Sequence, residues 1–260
     1  MRTFAIFNAK GGVGKTTTAI NLAYILAAEY GRRVLLVDAD GQANATQLLL
    51  PRADYVGLAG LLGGGIPCYD EVVEKTDIPN LDMLPASDSM WKVDLGCISS
   101  EGRDTFRGIV DLRVALEEDD AYDVMVIDCP PHFSVASVSA IRASDCIVIP
   151  VLADMYSAEG MANVAAQING ISELAPQVHI GGVLINQYHN AAVVLDAVEY
   201  IRESSPVPVY STVIRRTDKV MESTWACQPV LMWSPYSSAA RDYRAWVKEL
   251  MAKEEMRNGV

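Results

Sequence analysis

Ala9-Lys10-Gly11-Gly12-Val13-Gly14-Lys15-Thr16 lies between a short apolar run, Thr3–Phe7, and a segment of helical period, Thr16–Ala28. A strand, a glycine-rich turn and a helix in that order form a phosphate-binding loop. Gly11, Gly12 and Gly14 let backbone N–H groups turn inward around phosphate oxygens, where side chains would obstruct. The start of the following helix adds its partial positive charge. The cradle thus comprises Gly11, Gly12, Val13, Gly14, Lys15, Thr16 and Thr17. Lys15 is placed to reach the β- and γ-phosphates, and Thr16 to set its hydroxyl on Mg²⁺. Ala9 stands where the usual pattern has its first glycine.

Outward from the loop, the same alternation repeats. Apolar runs occur at Arg33–Val37, Leu81–Leu84, Val124–Ile127, Cys146–Val151, Ile180–Ile185 and Val207–Val213. Between them, Ser134–Ala143, Ser157–Leu174 and Ala191–Ser204 read as crossover helices. Strands apolar on both faces belong in a buried parallel sheet. The expected fold is therefore a doubly wound α/β domain over residues 1–260, with a mostly parallel sheet and helices on both faces. Residues 51–102, which hold the glycine cluster Gly57–Gly65, read as a loop-rich insertion of surface loops and short helices. Ala239–Met251 reads as a helix packed on the sheet through Tyr243, Trp246, Val247, Leu250 and Met251.

The chain has 260 residues, half of them apolar and 21% charged, which is ordinary globular composition. A domain of that size buries roughly three-quarters of its unfolded surface and needs no staples. Five cysteines without a C-x-x-C pair suit reduced thiols in a cytoplasmic protein. No signal peptide and no stretch of 18 uncharged apolar residues is present. The formal net charge of −12, taken as a total, argues against a constitutive nucleic-acid binder.

A second half of the phosphate site lies downstream. Tyr122-Asp-Val-Met-Val-Ile-Asp128 is an apolar strand ending in Asp128, the arrangement that holds Mg²⁺ through water in P-loop NTPases. Lys10 then separates the families. Two ammonium groups at one phosphate would repel, so Lys10 is either a solvated loop lysine or a group that serves another site. The run Lys10-Gly-Gly-Val-Gly-Lys-Thr-Thr17 resembles the deviant Walker A motif of the ParA/MinD family, in which this lysine reaches the partner's phosphates across a nucleotide-sandwich dimer.

The resemblance covers nearly the whole chain. Asp38-Ala-Asp40-Gly-Gln42-Ala-Asn44-Ala-Thr46 is similar to the family's D-x-D-P-Q-x-N-x-T segment, with Gly41 in place of Pro. It implies that Asp40 orients the attacking water and that Asp38 stands near Mg²⁺ and Lys15. Asp128-Cys-Pro-Pro131 resembles the family's D-C-P-P ending and gives Cys129 a packing role. Gly181–Asn186 resembles the strand whose terminal Asn186 reads the adenine amino edge. Val213-Ile-Arg-Arg216 resembles a segment near the base, with Arg215 in place of Pro and Arg216 beside the nucleotide. ATP as the nucleotide follows from the resemblance alone.

The same resemblance implies catalysis by Lys10, Lys15 and Asp40, metal binding by Thr16, Asp38 and Asp128, and an ATP-dependent homodimer. It further implies a ParB-like centromere-binding partner that stimulates slow hydrolysis, and sequence-independent DNA binding by the ATP dimer on the nucleoid. The tail after Met251 lacks a second apolar stripe, so membrane targeting is not expected. The loop begins almost at once, as in the short Soj-like class, so no N-terminal DNA-reading domain is expected. Arg142 is the only basic residue between Val114 and Tyr200, whereas basic residues outnumber acidic ones from Ile201 onward. Arg215, Arg216 and Lys219, with Arg241, Arg244 and Lys248, form the candidate DNA patch, which a dimer would double. Two other readings stay open: a positioning ATPase for a protein cargo, and a metabolic P-loop enzyme of the dethiobiotin synthetase type.

Overall fold

The computed structural model describes residues 1–50, 55–63, 68–87, 89–99 and 104–259. Its strands are β1 (Arg2–Ile6), β2 (Val34–Asp38), β3 (Glu74–Lys75), β4 (Leu81–Leu84), β5 (Val124–Asp128), β6 (Cys146–Leu152), β7 (His179–Tyr188) and β8 (Val209–Arg215). They form one sheet in the order β3-β4-β2-β5-β1-β6-β7-β8. All neighbours are parallel except β3, which runs antiparallel to β4. The chain winds from β1 to one side and later returns past it to the other. The carboxyl ends of β1, β2, β5 and β6 therefore meet where the winding direction switches, which is where open α/β sheets form ligand sites.

The helices are α1 (Lys15–Tyr24), α2 (Asn44–Leu49), α3 (Gly57–Leu62), α4 (Met90–Ser99), α5 (Gly108–Glu118), α6 (Val135–Ala143), α7 (Met155–Ser172), α8 (Ala192–Ser204), α9 (Asp218–Trp225), α10 (Val230–Trp233) and α11 (Ser238–Asn258). Successive strand residues point to opposite faces, so each strand feeds two cores. Phe4, Ile6, Leu36, Val126 and Val148 pack with Leu22 of α1, Leu231 of α10 and Trp246 and Val247 of α11. Ala5, Phe7, Leu35, Val37, Ile127 and Ile149 pack with Ile109 of α5, Ile141 of α6, Ile168 of α7 and Val198 of α8. Two buried faces explain why the strands read as continuous apolar runs.

Several boundaries differ from the sequence expectation for local reasons. The helix expected over Thr16–Ala28 begins at Lys15, and its last turn, Ile25–Glu29, is π-helical. The run Val207–Val213 gives a strand shifted to Val209–Arg215, because the Ser205 hydroxyl bonds both the N–H and the carbonyl of Val207 and holds it out of the ladder. β3 was not expected, since Glu74 and Lys75 carry no apolar signal.

Segment 51–102 is not simply surface loop. Leu58, Tyr69, Val72, Leu84 and Met90 are buried in one of the two cores, and β4 is an inner strand beside β2. Pro51, Gly64, Gly65, Gly102 and the side chain of Cys97 lie outside the described residues. No described helix is long and apolar enough to cross a membrane.

α11 runs seven residues past Met251 and stops at Gly259, whose φ of 72° is the left-handed conformation that ends helices. Its Trp246 is fully buried, with its ring edge-on to Tyr210 at 6.0 Å and to Tyr243 at 6.3 Å. Truncation there leaves a large cavity between α11 and the sheet. Trp246→Ala should destabilise the fold by about 3–5 kcal/mol. Urea denaturation checks this, and a loss below about 1 kcal/mol would contradict the packing.

Candidate nucleotide and metal site

The loop leaves β1 at Phe7 and enters α1 at Lys15. Gly12 and Gly14 have φ of 74° and 88°, conformations that L side chains rarely adopt. A Cβ on Gly11 or Gly12 would meet open space, so the loop presents bare backbone to the cavity. A Cβ on Gly14 would instead strike Asn186 Nδ2 at 2.8 Å. No side chain caps the N-terminus of α1, which leaves the first-turn N–H groups for an anion. The cavity over the loop measures about 660 Å³ and is lined by Gly11, Gly12, Lys15, Thr16 and Thr17, with Asp40 at its far wall.

Neighbouring residues brace the loop. Asn8 donates to the Pro150 carbonyl at 2.8 Å and accepts from the Lys10 N–H at 2.9 Å, tying the loop to β6. Asn186 donates to the Val13 carbonyl at 2.9 Å, and its Oδ1 is buried without a hydrogen-bond partner. Gln187 donates to the Gly12 carbonyl at 3.2 Å. The Lys15 ammonium donates to the Lys10 carbonyl at 3.0 Å, back across its own loop. Burial lowers its pKa, against the opposing pull of Asp128.

Lys10 points elsewhere. Its ammonium donates to both oxygens of Asp154, at 2.8 and 3.0 Å, just beyond the end of β6. The two lysines therefore do not share one phosphate position.

Asp38 and Asp128 end β2 and β5 and are register partners. Both are buried. Asp38 accepts from the Thr46 N–H at 2.9 Å, the Thr46 hydroxyl at 2.8 Å and the Asp40 N–H at 3.1 Å. Burial nevertheless pushes its pKa up to about 6. Neither Asp128 oxygen has a hydrogen-bond partner. Burial, and then the charge of Asp38, raise its pKa well above the usual carboxylate range; the nearby Thr16 hydroxyl opposes this from outside hydrogen-bonding geometry. Two buried carboxylates and a hydroxyl, all hard oxygen donors, fit Mg²⁺ with retained waters. Asp40 is likewise buried and accepts from the Gln42 N–H at 3.0 Å.

A family model described as an AAA domain matches residues 1–180. Chromosome partitioning protein ParA of Caulobacter vibrioides is 36% identical, over 99% of this chain and 96% of its own length. Sporulation initiation inhibitor protein Soj of Bacillus subtilis is 33% identical, over 96% and 98%. The chain belongs to the ParA/MinD family of P-loop ATPases. Among solved structures, cobyrinic acid a,c-diamide synthase of Mycobacterium smegmatis with ADP and magnesium superposes with a TM-score of 0.82 at 25% identity, covering 100% of this chain and 96% of that one. The Pyrococcus horikoshii septum site-determining protein MinD with Mg-ADP shares the fold at 0.78, over 96% and 95%.

Within this ParA-like site, four residues carry geometry that the sequence reading left unassigned: Asn8, Thr46, Asp154 and Gln187. Thr46 lay inside the quoted family segment without a role. Asp154 follows an apolar run as Asp38 and Asp128 do, which was the available signal.

Arg215 and Arg216 line a smaller cavity of about 240 Å³ beside Asn186 and Thr17. The six candidate DNA residues divide in two. Arg215 pairs with Asp242 at 2.6 Å, Lys219 with Glu222 at 2.7 Å and Arg244 with Glu29 at 2.7 Å. Arg216, Arg241 and Lys248 are exposed and make no ion pair among the described residues.

The carboxylates give a test with a definite sign. The folded state holds the Asp38 proton above the pH at which the unfolded chain releases it, so stability falls as pH rises from about 4 to about 6, and Asp128 acts in the same direction. Asp128→Asn should stabilise the nucleotide-free protein at pH 8 by about 1–2 kcal/mol. The gain should shrink as pH drops toward 4, where the parent carboxyls are protonated. Thermal melts across pH check this; equal or lower stability of the variant at pH 8 would contradict it.

Proposed function

We propose that this chain is an ATP-switched partition ATPase. ATP and Mg²⁺ enter the loop, with Lys15 on the β- and γ-phosphates, and Thr16, Asp38 and Asp128 holding the metal directly or through water. Bound Mg²⁺ would neutralise charge on the phosphates. Asn186 Oδ1 accepts from the adenine amino group, and Arg216 flanks the base. A second copy closes over the nucleotide, Lys10 crosses to its phosphates, and Asp40 orients the attacking water. Hydrolysis then opens the homodimer, at a rate that a ParB-like partner raises. The dimer binds DNA without sequence preference, and its cargo is a DNA molecule to be segregated. One folded unit over residues 1–260 carries all of this.

The observation that carries the reading is the direction of Lys10. Its ammonium lies on Asp154 and not at the site that Lys15 serves. Lys10 and Asp154 are 37% and 36% exposed, so their pair is worth at most about 1 kcal/mol and is readily exchanged for a phosphate. Lys10→Ala should bind ATP as a monomer yet fail to dimerise. Light scattering with and without ATP checks this, and a normal ATP dimer in the variant would sink the cross-dimer role. Asp40→Ala should instead accumulate the ATP dimer with turnover lost.

The DNA face reduces to Arg216, Arg241 and Lys248, the exposed members without ion pairs. Arg241 and Lys248 are seven residues apart on α11 and share a helix face. The Arg215–Asp242 pair ties the start of that helix to the end of β8, beside Arg216. Each phosphate contact contributes about −0.9 to the slope of log affinity against log salt. Lys248→Gln removes one contact per subunit away from the nucleotide, so it should flatten the slope by about 2 and weaken ATP-dependent DNA retention. Unchanged retention across a salt series would remove this face from the proposal.

A further inference from the structure

At the end of the sheet opposite the loop, β6 begins with Cys146 and β7 with His179, which are register partners in the parallel ladder. Their side chains lie next to each other against α11, where Glu254 closes the group. One ligand atom from each of Cys146, His179 and Glu254 falls within 4.8 Å of the other two. Cys146 is fully buried, Glu254 is 5% exposed and His179 is half-buried. These residues come from three separate elements, and none belongs to the nucleotide site.

Several features set this cluster apart from an ordinary buried ion pair. His179 Nε2 lies 2.9 Å from Glu254 Oε1, while Arg2 donates to the other oxygen, Oε2. His179 Nδ1 and the hydroxyl of the fully buried Tyr210 have no hydrogen-bond partner. The Tyr210 hydroxyl lies close to the sulfur, since both crowd the position of a Cβ on Gly181. A Cβ on Gly181 would strike Cys146 Sγ and approach Tyr210 Oη at 3.0 Å, so glycine leaves room for the sulfur where a side chain would intrude.

We propose that Cys146, His179 and Glu254 bind a zinc-like divalent cation that ties α11 to the amino end of the sheet. One thiolate, one imidazole and one carboxylate suit a borderline ion with tetrahedral preference, and water or the Tyr210 hydroxyl would fill the fourth position. Mg²⁺ does not suit a sulfur donor. Arg2 stays on Oε2 and orients the carboxylate while Oε1 takes the metal. Binding replaces the Cys146 S–H bond with an S–metal bond and releases that proton to solvent. The site would be structural, remote from phosphoryl transfer.

The test uses the full chain, reduced and free of nucleotide, with Co²⁺ as a spectroscopic probe. One equivalent should produce a thiolate-to-cobalt charge-transfer band with tetrahedral visible absorption, which Zn²⁺ abolishes by displacement. The band should vanish in Cys146→Ser, weaken at least tenfold in apparent affinity in Glu254→Gln, and persist in Cys68→Ser and Cys227→Ser. No band at one equivalent, or a band that survives Cys146→Ser, overturns the proposal. A second measurement needs no variant. X-ray absorption of the zinc-loaded parent should give one sulfur at about 2.3 Å with nitrogen and oxygen at about 2.0–2.2 Å. A shell of nitrogen and oxygen alone overturns it. The oxygen-only donors at Asp38 and Asp128 cannot produce a sulfur signal, so this readout is independent of nucleotide binding.

Discussion

Two carboxylates held side by side in a dry place constrain everything around them. Parallel pairing of β2 with β5 brings Asp38 and Asp128 level at the carboxyl edge of the sheet, where a one-residue slip of either strand would turn that strand's buried side chains to the opposite face. Like charges so placed raise each other's proton affinity, and burial adds to the effect. The protein answers one of them with hydrogen bonds from Thr46 and from the Asp40 backbone. It leaves the other, Asp128, without any. That asymmetry has a chemical meaning: a carboxylate already accepting several hydrogen bonds has fewer lone pairs to offer a cation, so in the proposed metal site Asp128 would be the better direct or water-mediated ligand and Asp38 the better background charge.

Lys15 completes the balance but does not end it. A single ammonium near two acids leaves the nucleotide-free site short of positive charge, and burial itself disfavours that ammonium. The lysine meanwhile rests on the Lys10 carbonyl and folds the loop onto itself. In the proposed function a polyphosphate with its metal would replace this arrangement favourably on both sides: Asp38 and Asp128 would meet the cation, while Lys15 and the first N–H groups of α1 would hold the phosphates. Stability given up in the empty site would thus become affinity for the occupied one, a common trade at functional centres.

The parts of the site legible in the sequence were those with a local cause. Gly12 and Gly14 announce themselves because only glycine tolerates their backbone angles, and Asp128 because it ends an apolar run. The alternation of such runs with helical segments was enough for the doubly wound sheet. Asp154 escaped notice because its importance lies in where Lys10 points, which depends on β6 lying beside β1. Asn8 and Gln187 act on backbone groups at a distance in sequence of more than 100 residues, and nothing local marks them. β3 has no apolar signal at all, and segment 51–102 looked irregular because its buried residues are spread among turns. The triad of Cys146, His179 and Glu254 was invisible for the same reason: its members are far apart in the chain, and each alone reads as packing.

Charge shows why totals mislead and positions decide. At physiological ionic strength interactions between exposed charges fade over about 8 Å, so acids on the far side of the molecule scarcely reach a phosphate near α11. What counts is the local balance, and there the sequence total errs in both directions. It counts Arg215, Lys219 and Arg244 as available cations, although Asp242, Glu222 and Glu29 already answer them. It also counts those three acids as repulsive, although their charge is answered too. Removing the pairs leaves Arg216, Arg241 and Lys248 as the exposed cations of the candidate patch, with the acid Asp218 beside Arg216. Three cations on one subunit would make a weak DNA contact. Doubling the face in a dimer approximately squares the binding constant, up to the effective concentration set by the rigid junction. In the proposed function, a face too weak alone and sufficient when doubled would tie DNA retention to the nucleotide state, and an excess of exposed lysines would break that dependence.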